Sequence, residues 1–187
     1  MKILILGAGG TIGKIITPAL QVAHEVITAG RNNGDIIADI SSTDGIKNIF
    51  KQVSDIDAIV CVAGDSLSDS LPEMDESKYS IGLTQKLLAQ INLVLIGAKF
   101  LNENGSFTLI SGKMGEKPVK GSSGKAVANG AINSFVLAAA MEMPKGIRIN
   151  VVSPSKVADI SSSDLISAYL KSIDTAANGE IIRIGYN

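Results

Sequence analysis

An α/β fold, with a parallel sheet covered by helices on both faces, is the class this sequence predicts. Three observations carry it. Short β-branched runs are apolar at consecutive positions, which marks strands buried on both sides. Helical stretches alternate with those runs along the chain. The 187 residues are 45% apolar and 19% charged, which supports one ordinary core and argues against disorder.

The elements follow in order. Residues 2–6 (KILIL) predict a strand, and residues 11–20 a helix with Pro18 late in it. Residues 25–29 predict a second strand and residues 36–40 a short third. Within residues 43–53, Ile46, Ile49, Phe50 and Val53 recur at helical spacing. Residues 58–63 are a continuous apolar strand, whereas residues 65–80 are polar and aperiodic and predict a loop with a short helix. Residues 84–101 predict a long apolar helix closed by Asn-Glu-Asn-Gly, and residues 106–111 a strand. The Gly-, Lys- and Ser-rich residues 112–125 predict a site loop. Residues 126–143 predict a helix stopped by Pro144 and Gly146, followed by a strand at 148–152, a helix at 163–173 and a strand at 180–184. With right-handed crossovers, this is one domain over residues 1–187. It is a doubly wound sheet of about seven strands.

Composition excludes several function classes. Seventeen Lys and Arg against 18 Asp and Glu leave a net charge of −1, which argues against broad nucleic-acid or anionic-membrane binding. With no Trp and 4% aromatic residues, base-stacking platforms are not expected. One cysteine, Cys61, excludes an internal disulfide, and one histidine, His24, excludes a multi-histidine metal site. No metal is expected. Cys61 reads as a buried inert thiol and His24 as a surface residue. No run approaches ~18 consecutive apolar residues, and the short run in MKILILGAGG is broken at once by glycines, as in a strand and not a signal peptide. The expected location is the cytoplasm.

Residues 7–13 read GAGGTIG and lie between the first strand and the first helix. Gly7, Gly10 and Gly13 fit the spacing for a tight turn, a backbone open to a pyrophosphate, and a close helix–strand contact, with phosphate at the helix N-terminus. Thr11 and Ile12 complete that turn. A P-loop does not fit. Its earlier glycine would fall on Ala8 and its hydroxyl on Ile15, although Gly13-Lys14 is present. The second strand ends in Gly30-Arg31-Asn32 where an NAD site places an acid for the ribose. Arg31 and Asn32 favour a 2′-phosphate, hence NADP(H) over NAD(H).

In this order the motifs resemble the short-chain dehydrogenase/reductase family along nearly the whole chain, which implies a Rossmann-type sheet in the strand order 3-2-1-4-5-6-7. The glycine loop resembles that family's cofactor loop. Ala38-Asp39-Ile40 resembles its third-strand end, which implies Asp39 and Ile40 beside the adenine. Cys61-Val-Ala63-Gly64 is similar to its Asn-Asn-Ala-Gly motif, which implies Ala63 and Gly64 at the cofactor. Gly146-Ile-Arg-Ile-Asn-Val-Val-Ser-Pro154 is close to its Gly-Ile-Arg-Val-Asn stretch, with Pro154 next to the nicotinamide. Gly179-Glu-Ile-Ile-Arg-Ile184 resembles its closing strand.

The resemblance also implies a Tyr-x-x-x-Lys acid/base pair and a serine about thirteen residues before the tyrosine. The tyrosines are Tyr79, Tyr169 and Tyr186, and none has a lysine four residues on. Aligned on Glu142, Gly146 and the Arg-Ile-Asn triplet, Lys125 takes the tyrosine position, Asn129 the lysine position and Gly112 the serine position, with Ser111 adjacent. A second register keeps Lys125 as the family lysine and puts Gly121 at the tyrosine position. Ser111, Lys125 and Asn129 are the candidate catalytic residues: Ser111 to bind a carbonyl, Lys125 to deliver a proton, Asn129 to hold the ribose. Lys113, Lys117 and Lys120 read either as solvated charges or, with Lys125, as an anion clamp. Residues 155–162 are short where the family carries a substrate lid. The implied activity is an oxidoreductase on an unknown small carbonyl or alcohol; the alternative is a catalytically silent NADP(H)-binding sensor or partner-binding module. The helix at 126–143, apolar nearly all round, needs cover on two faces. Together with the helix at 84–101 it is expected to form a homodimer or homotetramer interface.

Overall fold

A computed structural model describes residues 1–186. The strands are β1 (Lys2–Leu6), β2 (Glu25–Gly30), β3 (Ile36–Ile37), β4 (Ile56–Cys61), β5 (Leu101–Ile110), β6 (Arg148–Pro154) and β7 (Ile181–Ile184). They form one parallel sheet in the order β3-β2-β1-β4-β5-β6-β7. The helices are α1 (Gly13–Gln21), α2 (Thr43–Phe50), α3 (Glu76–Gly82), α4 (Ala89–Gly97), α5 (Ser123–Ala139) and α6 (Ser162–Asp174). A π-helical turn, Leu83–Leu88, joins α3 to α4.

Alternation along the strands splits the core in two. Leu4, Ile59, Phe107 and Val151 face α2, α4 and α5 through Ile49, Leu93, Ile132 and Val136. Ile3, Ile5, Val60 and Val152 face α1 and α6 through Ile16, Leu20, Leu165 and Tyr169. Both layers exclude water, so the sheet is doubly wound as the sequence predicts.

Several boundaries differ from the sequence reading. The short helix expected within the loop at 65–80 starts at Glu76 and runs past that segment to Gly82, with Asp75 capping α3 by accepting from the Lys78 amide at 2.9 Å. The helix expected to end at 101 stops at Gly97. There a Cβ would lie 3.0–3.2 Å from Phe50, Ile59 and Phe107. Phe100 turns back to stack on Phe50, centroids 4.7 Å apart, and Leu101 is already in β5 opposite Ile56. Pairing resumes at Ser106–Ala58, which leaves residues 102–105 as a bulge. Asp57 secures that end of the sheet, accepting from the Lys2 amide at 2.7 Å and from Asn102 Nδ2 at 2.8 Å. The third strand is two residues instead of five, β4 runs two residues earlier than expected, β6 continues to Pro154, and α1 begins at Gly13. The helix expected at 126–143 is shifted to 123–139.

The continuous helix Glu76–Gly97 is long and apolar enough, by length and composition, to cross a membrane. Its Ala89, Gln90, Leu93 and Val94 are buried against the sheet, as in a core helix.

Past Val60–Thr108 the two central strands part. The chain leaving β4 follows β1, with the Val62 amide donating to Leu6 O at 2.9 Å. The exposed edge of β5 is completed by a side chain instead. Gln90 accepts from the Ile110 amide at 2.8 Å and donates to Ile110 O at 3.0 Å. One turn earlier, Lys86 Nζ donates to Ser111 O at 3.1 Å.

Candidate functional site

A groove of about 640 Å³ lies across the carboxyl ends of β1, β2 and β4, the position where open α/β sheets bind ligands. Gly7, Gly10, Thr11, Arg31, Asn32, Asp39, Ile40, Ala63 and Gly64 line it. Gly9, Asn33, Asp65 and Gln85 line it as well, and the sequence reading did not single them out. Ile12, Gly13 and Pro154 stand elsewhere. Ile12 packs on the α1–α6 core layer. Gly13 is buried behind the loop, where a Cβ would overlap Gly7 O and Ala8. Pro154 ends β6, its carbonyl 3.7 Å from where a Cβ on Gly112 would sit.

The loop geometry fits a dinucleotide. Gly7 has φ +91°, and a Cβ there would lie 2.9 Å from the Ala63 amide nitrogen, so glycine lets the loop and the end of β4 meet. No side chain caps α1, which leaves its partly positive amino end bare toward the groove. At the other end, the turn carrying Arg31 and Asn32 is tied by Asp35. Its Oδ2 accepts from the Thr28 amide and hydroxyl, both at 2.8 Å, and its amide donates to Thr28 Oγ1 at 3.0 Å. Those Thr28 bonds hold the Asp35 carboxyl below the usual range. Arg31 and Asn32 remain exposed at the rim.

None of the candidate catalytic residues is among those that line this groove. Ser111 and Asn129 are each 4% exposed, and Ser111 Oγ and Asn129 Oδ1 have no hydrogen-bond partner. Buried polar atoms of this kind are rare without a ligand or water. Asn129 Nδ2 lies 3.0 Å from where a Cβ on Gly112 would be. Lys125 is in the first turn of α5, four residues before Asn129 on the same face. Gly121, at φ +79°, precedes that helix. The phenols are placed elsewhere: Tyr79 donates to Ser123 Oγ at 3.0 Å, Tyr169 is in the core, and Tyr186 OH meets Ser153 Oγ at 2.6 Å.

The lysine cluster is divided. Lys113 and Lys117 sit over the Tyr186 ring, 5.6 and 5.8 Å from its centroid, and Lys117 also donates to Tyr186 O at 3.4 Å. Both lie against Tyr186, and Lys120 is exposed. Cys61 is fully buried, and burial pushes its thiol up to about 12, so it is inert. His24 is half-buried, its Nδ1 shielded and without a partner, and not the surface residue expected.

Sequence reasoning missed Lys86. It is 8% exposed and lies directly behind Gly64, where a Cβ would fall 2.8 Å from Lys86 Cγ. Burial, with the Lys125 charge adding to it, lowers its pKa to about 8. The signal was present: Lys86 and Gln90 share the helix face of Leu93 and Gly97, so two polar residues occupy a buried stripe.

A family model described as enoyl-(acyl carrier protein) reductase matches residues 13–180. The short-chain dehydrogenase/reductase ATR9 of Stachybotrys chlorohalonatus is 31% identical over 149 residues, covering 74% of this chain and 58% of that protein's length. The crystal structure of the protein lin1944 from Listeria innocua superposes with a TM-score of 0.94 at 40% identity, over 98% of this chain and 99% of that one. A small-chain dehydrogenase solved in complex with NADPH has the same fold, with a TM-score of 0.89 at 22% identity over 98% of this chain and 96% of that one.

Proposed function

This chain belongs to the short-chain dehydrogenase/reductase family, and from that premise we propose that it is an NADP(H)-binding oxidoreductase acting on a small carbonyl or alcohol. The observation that carries the cofactor assignment is the rim of the groove. Arg31 and Asn32 stand exposed there, with no carboxylate at the end of β2. A guanidinium at that position favours a 2′-phosphate through charge-assisted bonds. The NADPH-bound neighbour supports the reading as a likeness of fold.

The residues then have distinct tasks. Gly7, Gly10, Thr11 and the amino end of α1 hold the pyrophosphate, while Asp39 and Ile40 flank the adenine. Ala63 and Gly64 form the floor beyond the phosphates. The bound nicotinamide supplies the hydride. Ser111 Oγ donates to a substrate carbonyl, Lys125 exchanges its proton, and Asn129 holds the ribose. We place the protein in the cytoplasm, and we assign its self-association to the α4–α5 face.

The test is titration of NADP(H) and NAD(H) into wild type and Arg31→Ala. NADP(H) is expected to bind at least tenfold tighter, about 1.4 kcal/mol, and the variant to lose that margin. An unchanged ratio would reject the role of Arg31. One observation favours a second reading, binding without turnover: neither Lys125 nor Gly121 supplies the phenol that the family's chemistry uses. Cofactor oxidation across a panel of carbonyl compounds separates the two.

A further inference from the structure

Lys86 places a buried ammonium behind Gly64, which lines the groove. Its side chain runs behind Gly64, and among the described residues its Nζ has one hydrogen bond, to Ser111 O at 3.1 Å. The titratable groups facing it are Cys61 on β4, Asp65 just after that strand and Lys125 on α5. Cys61 is a neutral thiol at any ordinary pH, which leaves Asp65 and Lys125 as the charged neighbours. Among the described residues, no ion pair includes Lys86 or Lys125. A buried ammonium with a single carbonyl for company is poorly compensated, so its charge state responds to whatever charge enters the site.

The groove sets the direction of a bound dinucleotide. The Arg31–Asp39 end takes the adenine half and the glycine loop takes the phosphates. The second base therefore runs past Gly64 toward Lys86. An oxidised nicotinamide ring is cationic and a reduced one is neutral. We propose that Lys86 is a redox-reading residue: its ammonium favours the reduced cofactor, and the oxidised cofactor expels its proton to solvent. The inference rests on the cofactor reading above. It involves no bond exchange beyond that one proton, and it assigns Lys86 a positioning charge and not a catalytic contact.

The experiment measures affinity for NADP⁺ and NADPH from pH 6.5 to 9.5, with calorimetry in buffers of different ionisation enthalpy. In wild type, NADP⁺ binding is expected to tighten roughly tenfold across this range, the equivalent of one pKa unit, while NADPH binding changes little. NADP⁺ binding near pH 7.5 is expected to release a large fraction of one proton, and NADPH binding none. NAD⁺ and NADH serve as a second pair, because the 2′-phosphate itself titrates near pH ~6. Lys86→Met should flatten the NADP⁺ profile. Lys86→Gln, which keeps a donor for Ser111 O, should flatten it too and guards against a folding defect in the first variant. Lys125→Met, which removes a charge that helps lower the Lys86 pKa, should move the NADP⁺ profile to higher pH without abolishing it. A flat wild-type profile, or a slope that survives in Lys86→Gln, overturns the role of Lys86 while leaving cofactor binding in place. Failure of both cofactors to bind at any pH overturns the cofactor reading as well.

Discussion

Replacing Gln90 by Leu removes hydrogen bonds while keeping most of the side-chain volume. Gln90 is fully buried, accepts from the Ile110 amide at 2.8 Å, and donates to Ile110 O at 3.0 Å. With leucine there, both backbone groups of Ile110 lose their partner on the side where β4 has turned away. A buried unsatisfied polar group costs about 1–3 kcal/mol, so the pair costs about 2–6 kcal/mol out of a total stability of about 5–15 kcal/mol. Urea denaturation should show a lower midpoint with an unchanged slope. Gln90→Glu provides an internal check. Its protonated form restores a donor and an acceptor, and burial raises its folded pKa above the unfolded value near ~4.3. Its deficit relative to wild type at matched pH should therefore shrink as pH falls. If Gln90→Leu stays within about 0.5 kcal/mol of wild type, the range of ordinary surface substitutions, the strand-completing role is refuted.

Other outcomes follow from the same structure. Arg148 donates to Ser172 O, Ala177 O and Ile173 O at the end of α6, so Arg148→Met should cost about 1–3 kcal/mol in denaturant titration. The Asn102 bond, with the Lys2 amide, holds the Asp57 carboxyl below its usual range. Its stabilisation is complete above the unfolded value near ~3.9 and is lost as pH falls through the lower folded value, so Asp57→Asn should flatten the acid limb of a stability–pH curve. Val94, Leu95, Phe135 and Ala139 line an open groove of about 460 Å³ between α4 and α5. If two chains meet there, wild type scatters light as a dimer or tetramer and Ala139→Glu as a monomer; a monomeric wild type at micromolar concentration would sink the interface. Dehydrogenase activity on ordinary alcohols and ketones should be weak, since a positioned acid/base contributes about 10²–10⁴-fold. Lys125→Tyr with Asn129→Lys and Gly112→Ser should raise turnover without weakening cofactor binding. Fast wild-type turnover that is indifferent to Lys125→Ala would contradict that assignment.

The two-sided cover was legible because KILIL, AIVC and the run after Arg148 are apolar on both faces, as strands of a parallel sheet between helix layers are; the strand order came with the family resemblance. The glycine loop was legible because its spacing sits between a strand and a helix. Helix limits were less so. The start of α3 depends on Asp75 as a cap inside a polar stretch, and the end of α4 on the contact of Gly97 with three residues distant in sequence. Lys86 was hidden because a lysine in an apolar helix reads as its solvent face. The π-helical turn and the parting of β4 from β5 put it inside, and both are tertiary facts. The lysines at 113 and 117 were read without Tyr186, which reaches them only after the chain has folded back.

The wedge filled by Gln90 also makes one amide informative. In a parallel sheet, an interior amide ordinarily exchanges with deuterated solvent only when strands separate, which occurs at free energies near that of global unfolding. The Ile110 amide is held by Gln90 and not by a neighbouring strand. It is released as soon as α4 lifts, with the sheet intact. Its exchange rate, set against that of Thr108 or Leu109, therefore reports the opening of the helix that carries Lys86, and would register a ligand tightening that wall even when no average position changes.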